Sequence, residues 1–319
     1  MPGVITLTTD FGARDPYVAE MKAVILGLNP AARLIDVSHE VAAHDVIEGA
    51  LAVHAMVAVC PEGTIHVAVV DPGVGTHRRR LVVAAVGQLF VGPDNGIFTP
   101  VLSDPECQAF ELQAAEYRRS RVSATFHGRD VFAPAAARLA RGVAPASFGP
   151  PVTDPVRVAL AATREVGGGV QGQVIHVDRF GNLVTSIDSE TVERLSRGAD
   201  ILTVRIAGRR MPVVRTYGDL PIDGAGVLAG SHGRLEVGAR GECGRAIPRA
   251  ARDDGPPQSV DDFADEGEDA LVDAEPLAGA GAFSAFSAAG FSTEVLSLPA
   301  ALLLLLFSDS SAFFRDSEG

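Results

Sequence analysis

VITLTTDFGARDPYVAEMKAVILGL, residues 4–28, is the stretch on which the fold turns. Val4–Thr8 is short, apolar and β-branched, the texture of a buried strand. It breaks at Thr9-Asp10-Phe11-Gly12. Asp15-Pro16 then reads as a helix N-cap followed by proline at the first helical position, where its missing N–H costs nothing. Val18, Met21, Val24, Ile25 and Leu28 recur at helical spacing, and Asn29-Pro30 stops the helix. A buried strand followed at once by an amphipathic helix is the opening of an α/β sheet protein.

The pattern continues outward. Leu34–Val37 is a second strand, Asp45 to Val59 a second helix and Thr64–Val70 a third strand. Further strand runs are Leu81–Val86, Leu89–Val91 and Phe110–Leu112, with the turn Gly92-Pro93-Asp94-Asn95-Gly96 between the last two. Val131–Arg141 is an alanine-rich helix. This order predicts an α/β N-terminal domain with a mostly parallel sheet over residues 1–155. Prolines, glycines and Gly167-Gly168-Gly169 mark residues 156–169 as a linker. From 170 to 252 the texture is short strands with turn signals: Gln173–Val177, Leu183–Ile187, Leu202–Ala207, Met211–Val214, Gly226–Leu228 and Arg234–Val237, with one helix at Ser189–Arg197. That predicts a small C-terminal β-barrel domain. Residues 253–319 form an acidic, low-complexity tail, expected to be disordered.

Charge separates the tail from the body. The chain carries 40 acidic and 27 basic residues, and 14 of the acids but one arginine lie beyond Arg252. The body is therefore balanced and presents no basic footprint for nucleic acid. Lys22 is the sole lysine among the basic residues. Cys60, Cys107 and Cys243 form no CxxC pair, which argues against a zinc site or a disulfide framework. The run around Leu302–Leu306 is too short for a bilayer span, which needs about 20 apolar residues. The start of the sequence shows no signal-peptide pattern, so a cytoplasmic location is expected.

Ligands of open α/β sheets bind beyond the carboxyl ends of the strands. Asp10 follows the first strand there and Asp71 the third, in Val69-Val70-Asp71-Pro72-Gly73-Val74-Gly75-Thr76. Thr125-Phe126-His127-Gly128-Arg129-Asp130 precedes the alanine-rich helix, and Asp178-Arg179-Phe180-Gly181-Asn182 lies in the β-domain. Taken singly, each has an ordinary use: Asp10 and Asp71 as turn residues, His127 as a hydrogen-bonded structural histidine, Arg78-Arg79-Arg80 as a solvated run and Phe180 as core.

The segments TLTTDFG-x-x-DPYV-x-x-MK-x-V, DVSHEV, VVDPGVGT, VGPDNG, TFHGRD and VDRFGNL, in that order, resemble the S-adenosyl-L-methionine (SAM) hydroxide adenosyltransferase family, relatives of the fluorinating and chlorinating enzymes. The resemblance spans roughly residues 3–245. It implies hydrolysis of SAM to adenosine and L-methionine by water or hydroxide attack at the ribose C5′, without a cofactor or metal. It further implies a homotrimer with sites between neighbouring subunits. By motif, Asp71, Arg78 and His127 match the family's catalytic residues: a guanidinium holds or stabilises hydroxide, while Asp71 and His127 orient the water and take a proton. Asp10 matches the carboxylate that grips the ribose diol. Phe126 and Phe180 resemble aromatic walls, Asn182 the reader of the adenine edge, and Asp178 and Ser231 the positions that hold the methionine ammonium. His44 sits where the halogenases place an aromatic ring.

Two other functions fit parts of this pattern. The halogenases carry Tyr at the position of Asp71 and Ser at that of Gly128, and a carboxylate beside the nucleophile repels halide. A non-catalytic adenosine or SAM binder has no need of the Asp71, Arg78 and His127 set. After Leu235-Glu236-Val237 the resemblance fades. Arg240 stands where relatives have Asn, and the last barrel strand is either lost or replaced by the acidic tail.

Overall fold

In the computed structural model, which describes residues 3–167, 169–196, 201–206, 209–240 and 269–275, the opening run becomes β1 (Val4–Thr9) and α1 (Tyr17–Leu28). The helix starts one residue later than the Asp15 cap predicts. Pro16 takes the cap position, and its carbonyl accepts the first helical bond from the Glu20 N–H at 2.9 Å. β2 (Arg33–Ser38) and α2 (Val46–Val57) follow. The Asp45 carboxylate caps α2 by accepting the Glu48 N–H at 2.8 Å. Next come β3 (Ile65–Val69), β4 (Arg80–Ala85), β5 (Gln88–Pro93), β6 (Gln108–Glu111), α3 (Ala133–Leu139) and β7 (Pro151–Val152).

These strands form one sheet in the order β2-β1-β3-β5-β4-β6-β7. It is mixed, and the expectation of a mostly parallel sheet is corrected. Three pairings are parallel (β1 with β2, β1 with β3, β3 with β5) and three antiparallel (β4 with β5, β4 with β6, β6 with β7). The cause is local. β4 and β5 are joined by Val86 and Gly87, both with positive φ (48° and 70°), a two-residue hairpin that leaves no chain for a crossover helix.

The helices cover both faces. Met21 and Ile25 of α1 pack with Ala135, Ala136 and Leu139 of α3 against Ile5, Leu7, Val67 and Val69. On the other face Ala50 and Val53 of α2 pack with Ala68, Val70, Phe90 and Phe98. The period-2 alternation of β3 supplies both cores, and each fully buried side chain of this size contributes about 1.5–3 kcal/mol. The predicted helix Val131–Arg141 is split: a π-helical turn, Gly128–Phe132, runs into α3.

The chain divides into two compact units between Leu160 and Ala161. The second holds β8 (Arg164–Val166), β9 (Gly169–Val177), β10 (Leu183–Asp188), α4 (Ser189–Ser196), β11 (Ile201–Ile206), β12 (Arg209–Met211), β13 (Ala225–Ala229), β14 (Arg234–Ala239) and β15 (Asp269–Glu275). Its sheet runs β12-β11-β15-β9-β10-β14-β13, with β8 paired to β9 and a core of Val170, Ile187, Val204, Val227 and Val237. The expectation of a disordered tail therefore fails at residues 269–275. β15 is antiparallel to both β11 and β9 and lies between them, where its backbone groups are paired on both sides. The rest of the tail, including Leu302–Leu306, lies outside the described residues. No helix among the described residues is long and apolar enough to cross a membrane.

Candidate active site

Register brings the first group of site residues to one edge. Thr9 of β1 lies opposite Val69 of β3, so Asp10 and Asp71 leave adjacent parallel strands at the same end. β4 runs the other way and starts there, with Arg80 opposite Pro93, which delivers Arg78 to that edge. Gly75 lets the connecting loop press on the segment that carries His127. Its φ is +80°, and a Cβ would lie 2.6 Å from the Ala124 carbonyl oxygen.

Asp71, Arg78 and His127 meet. Arg78 Nε donates to Asp71 Oδ1 at 2.8 Å and Arg78 Nη2 donates to Asp71 Oδ2, a bidentate pair. Arg78 Nη2 also donates to His127 Nδ1 at 2.8 Å. The side chains of Arg78 and Asp71 are 9% and 4% exposed, so the pair is largely desolvated. The arginine run is not a solvated one. Arg79 turns to Asp94 (2.6 Å) and Asp154 (2.6 Å) and fastens the start of β4 to the end of β5. Arg80 is half-buried, and its Nε has no partner.

This geometry fixes the histidine tautomer. A guanidinium only donates, so Nδ1 must be the acceptor and the neutral ring carries its proton on Nε2. Burial, then the positive charges of Arg78 and Arg80, lower the His127 pKa below its ordinary 6.5. Protonation at Nδ1 would set two donors face to face. The neutral ring thus offers Nε2–H as a donor.

Asp130, fully buried, braces the segment around His127. Its carboxylate accepts from Arg129 Nε and Nη2 (both 2.8 Å), Arg119 Nη1 (3.0 Å) and the Ser123 N–H (2.8 Å). Burial opposes its ionisation, but these donors hold its carboxyl below the usual carboxylate range. Phe126 is only 9% exposed. It packs edge-on to Phe11 (5.8 Å) and Tyr17 (5.3 Å), beneath the Arg129 guanidinium (4.9 Å). Phe11 and Tyr17 were not singled out in the sequence; helical spacing from Val18 would have marked Tyr17 as an outward residue. Asp10 accepts the His44 N–H at 2.9 Å through Oδ2. His44 itself is held at φ 70°, so its backbone rather than its ring meets Asp10.

In the second unit, Asp178 organises its own loop. Oδ1 accepts the N–H groups of Phe180 (2.8 Å) and Asn182 (2.9 Å), and Oδ2 accepts Asn182 Nδ2 at 2.8 Å. The loop holds Phe180 87% exposed, which rules out the core reading. Asn182 Nδ2 also faces Tyr217 Oη at 3.4 Å, and that hydroxyl donates to the buried Glu236 carboxylate at 2.6 Å. Burial, then Glu236, raises the Tyr217 pKa well above the ordinary tyrosine value, so the hydroxyl stays protonated. Tyr217 did not stand out in the sequence, and Glu236 did so only as part of Leu235-Glu236-Val237. Ser231 is exposed, with its hydroxyl 3.5 Å from His232 Nδ1. Among the described residues no group of three or more His, Cys, Asp and Glu is gathered as a metal site.

The chain is similar to known proteins over most of its length. The chain is 42% identical to an (R)-S-adenosyl-L-methionine hydrolase of Thermus thermophilus, over 75% of this chain and 93% of that protein. It is 40% identical to one of Salinispora arenicola, over 76% and 91%. A fluorinase of Actinoplanes sp. is more distant, at 27% identity over 68% and 83%. A crystal structure of a conserved protein from Thermotoga maritima superposes with a TM-score of 0.73 at 29% identity, covering 84% of this chain and 99% of that one. Residues 5–149 match the SAM hydroxide adenosyltransferase N-terminal domain and residues 172–252 the corresponding C-terminal domain. With both domains matched in order, and the Arg78 side chain bonded to both Asp71 and His127 at the edge where α/β sheets bind ligands, the chain belongs to the SAM hydroxide adenosyltransferase family.

Proposed function

We propose that the chain hydrolyses S-adenosyl-L-methionine to adenosine and L-methionine, by attack of water or hydroxide at the ribose C5′. The observation that carries this is the desolvated Arg78 guanidinium shared between Asp71 and His127 Nδ1. A guanidinium is a permanent cation, and that of Arg78 stabilises hydroxide or the charge that develops as water loses its proton. His127 Nε2–H donates to the nucleophilic oxygen and aims it, and the Asp71 carboxylate takes the proton. The new bond is O–C5′. The C5′–S bond breaks with its electron pair passing to sulfur, so the sulfonium leaves as a neutral thioether and needs no acid. No cofactor is required, since SAM is the substrate.

In this reading Asp10 accepts the ribose hydroxyls, Phe126 and Phe180 flank the nucleoside, Asn182 reads adenine, and Asp178 and Ser231 hold the methionine ammonium. Asp178 does so while also holding its loop. A barrel is supported by the hydrogen bonds that join the two ends of the second sheet: Val214 N–H to Val227 O and Val227 N–H to Pro212 O, both 2.8 Å. A homotrimer in the cytoplasm completes the proposal, and sedimentation of the full chain tests its subunit count. Chromatography of products after incubation with SAM tests the chemistry. Equimolar adenosine and methionine are expected. Unchanged substrate would indicate a binding protein, and a 5′-halogenated nucleoside formed in chloride or fluoride would indicate a halogenase.

A pH profile follows from the lowered His127 pKa. The neutral ring is the working form, so kcat/KM holds its plateau as pH falls through 6.5 and declines only at more acid values. Arg80→Leu removes one of the positive charges that depress this pKa, and it moves the acid limb to higher pH. A wild-type profile already halved at the ordinary histidine value, and insensitive to Arg80, would contradict the assigned tautomer.

A further inference from the structure

We propose that Lys22, Asp36, His39 and Thr9 form a positioning relay that sets the Asp10 carboxylate for the ribose diol; the purpose of the relay rests on the reading of Asp10 given above. The chain of contacts is continuous. Lys22 Nζ donates to Asp36 Oδ2 at 2.5 Å, and His39 Nε2 donates to Asp36 Oδ1 at 2.9 Å. With that proton on Nε2, His39 Nδ1 accepts the hydroxyl of the fully buried Thr9 at 2.9 Å. Thr9 Oγ1 in turn accepts the Phe11 N–H at 3.3 Å, so the hydroxyl grips both sides of Asp10.

The same loop fastens the rest of the turn. His39 O accepts the Gly12 N–H at 2.7 Å, Glu40 Oε1 accepts the Ala13 N–H at 3.1 Å, and the His44 N–H reaches Asp10 itself. Asp10 is thus placed from the loop after β2 as much as from its own strand. This gives a use to two motifs, DVSHEV and the lysine of MK-x-V, that the reaction as described leaves idle.

Lys22 forms the outer end of this chain of contacts. Every other basic side chain among the 27 lysines and arginines is arginine. Its ion pair with Asp36 is partly exposed (31% and 44%), a setting in which such pairs add little stability. A compact ammonium is a point charge that leaves the second carboxylate oxygen to His39, whereas a planar guanidinium favours taking both oxygens at once. Burial opposes ionisation of Asp36, but the Lys22 and His39 hydrogen bonds hold its carboxyl below the usual range. The carboxylate is therefore a fixed acceptor that holds the His39 ring in one tautomer.

The test is steady-state kinetics with SAM and calorimetry with adenosine on the full chain, comparing Asp10→Ala, Thr9→Val, His39→Phe, His39→Asn, Lys22→Met and Lys22→Arg. Loss of one aligned hydrogen bond at a remove from the chemistry should raise KM and the adenosine Kd roughly tenfold in Thr9→Val and His39→Phe, with kcat within about twofold. Lys22→Met and Lys22→Arg should each raise KM about threefold. His39→Asn retains an amide near the Nδ1 position and should recover most of the affinity lost in His39→Phe. A merely structural role would lower the melting temperature and leave KM and Kd of the folded protein alone. That result in Thr9→Val, alongside a raised KM in Asp10→Ala, overturns the relay but spares the ribose reading. An unchanged KM in Asp10→Ala overturns both.

Discussion

Arg78→Ala lowers kcat by about a thousandfold, the scale on which an enzyme loses an oriented charge at its reacting oxygen. The same side chain holds Asp71 by two hydrogen bonds and His127 by a third, so its removal frees both groups at once. Arg78→Lys keeps the charge but offers a point where the site uses a fork, and it should still lose about a hundredfold. Removing the guanidinium also leaves Asp71, 4% exposed, without its pair, and breaking a buried pair this way costs about 3–5 kcal/mol. Activity must therefore be read on protein shown by its melting curve to be folded at the assay temperature. Asp71→Asn with Arg78→Ala relieves the stranded carboxylate and restores stability without restoring turnover. Turnover of folded Arg78→Ala within fivefold of wild type would remove the centre of the mechanism.

Ending the chain after Arg252 should unfold the second unit, whereas ending it shortly after Glu275 should not. β15 pairs with β11 at six residue positions and with β9 at four. Without it both neighbours become edges with unpaired N–H and C=O groups, which invite aggregation. The damage reaches the candidate site. β9 leads directly into Asp178, whose carboxylate holds the loop bearing Phe180 and Asn182. Gel filtration and thermal melting of the two truncated proteins provide the comparison. A chain ending at 252 that elutes and melts like the full-length protein would show that the tail strand is dispensable.

Much of the first unit was legible along the chain. The apolar run of β1, the helical spacing of α1 and the helical stretch that becomes α2 each depend on neighbours a few residues away, and such local preferences leave a mark in sequence. The direction of β4 was less legible. It rests on Val86-Gly87 adopting a left-handed hairpin, and a β-branched valine does not advertise that conformation. β15 was hidden for a different reason: DALVDAE is a short apolar core inside an acidic segment, and averaged composition conceals it. Phe126 and Phe180 looked alike as aromatics beside charged residues, and only burial separated the packed ring from the exposed one.

The sequence by itself determined the family, an α/β first half followed by a strand-rich region and the residue types available for chemistry, because motif order and periodicity are properties of a line. Tertiary structure alone decided that Asp71, Arg78 and His127 touch, that His127 carries its neutral proton on Nε2, and that a strand from the tail completes the second sheet. Each of these depends on a pairing between residues far apart in the chain, where the hydrogen-bond partner of one group fixes the state of the other.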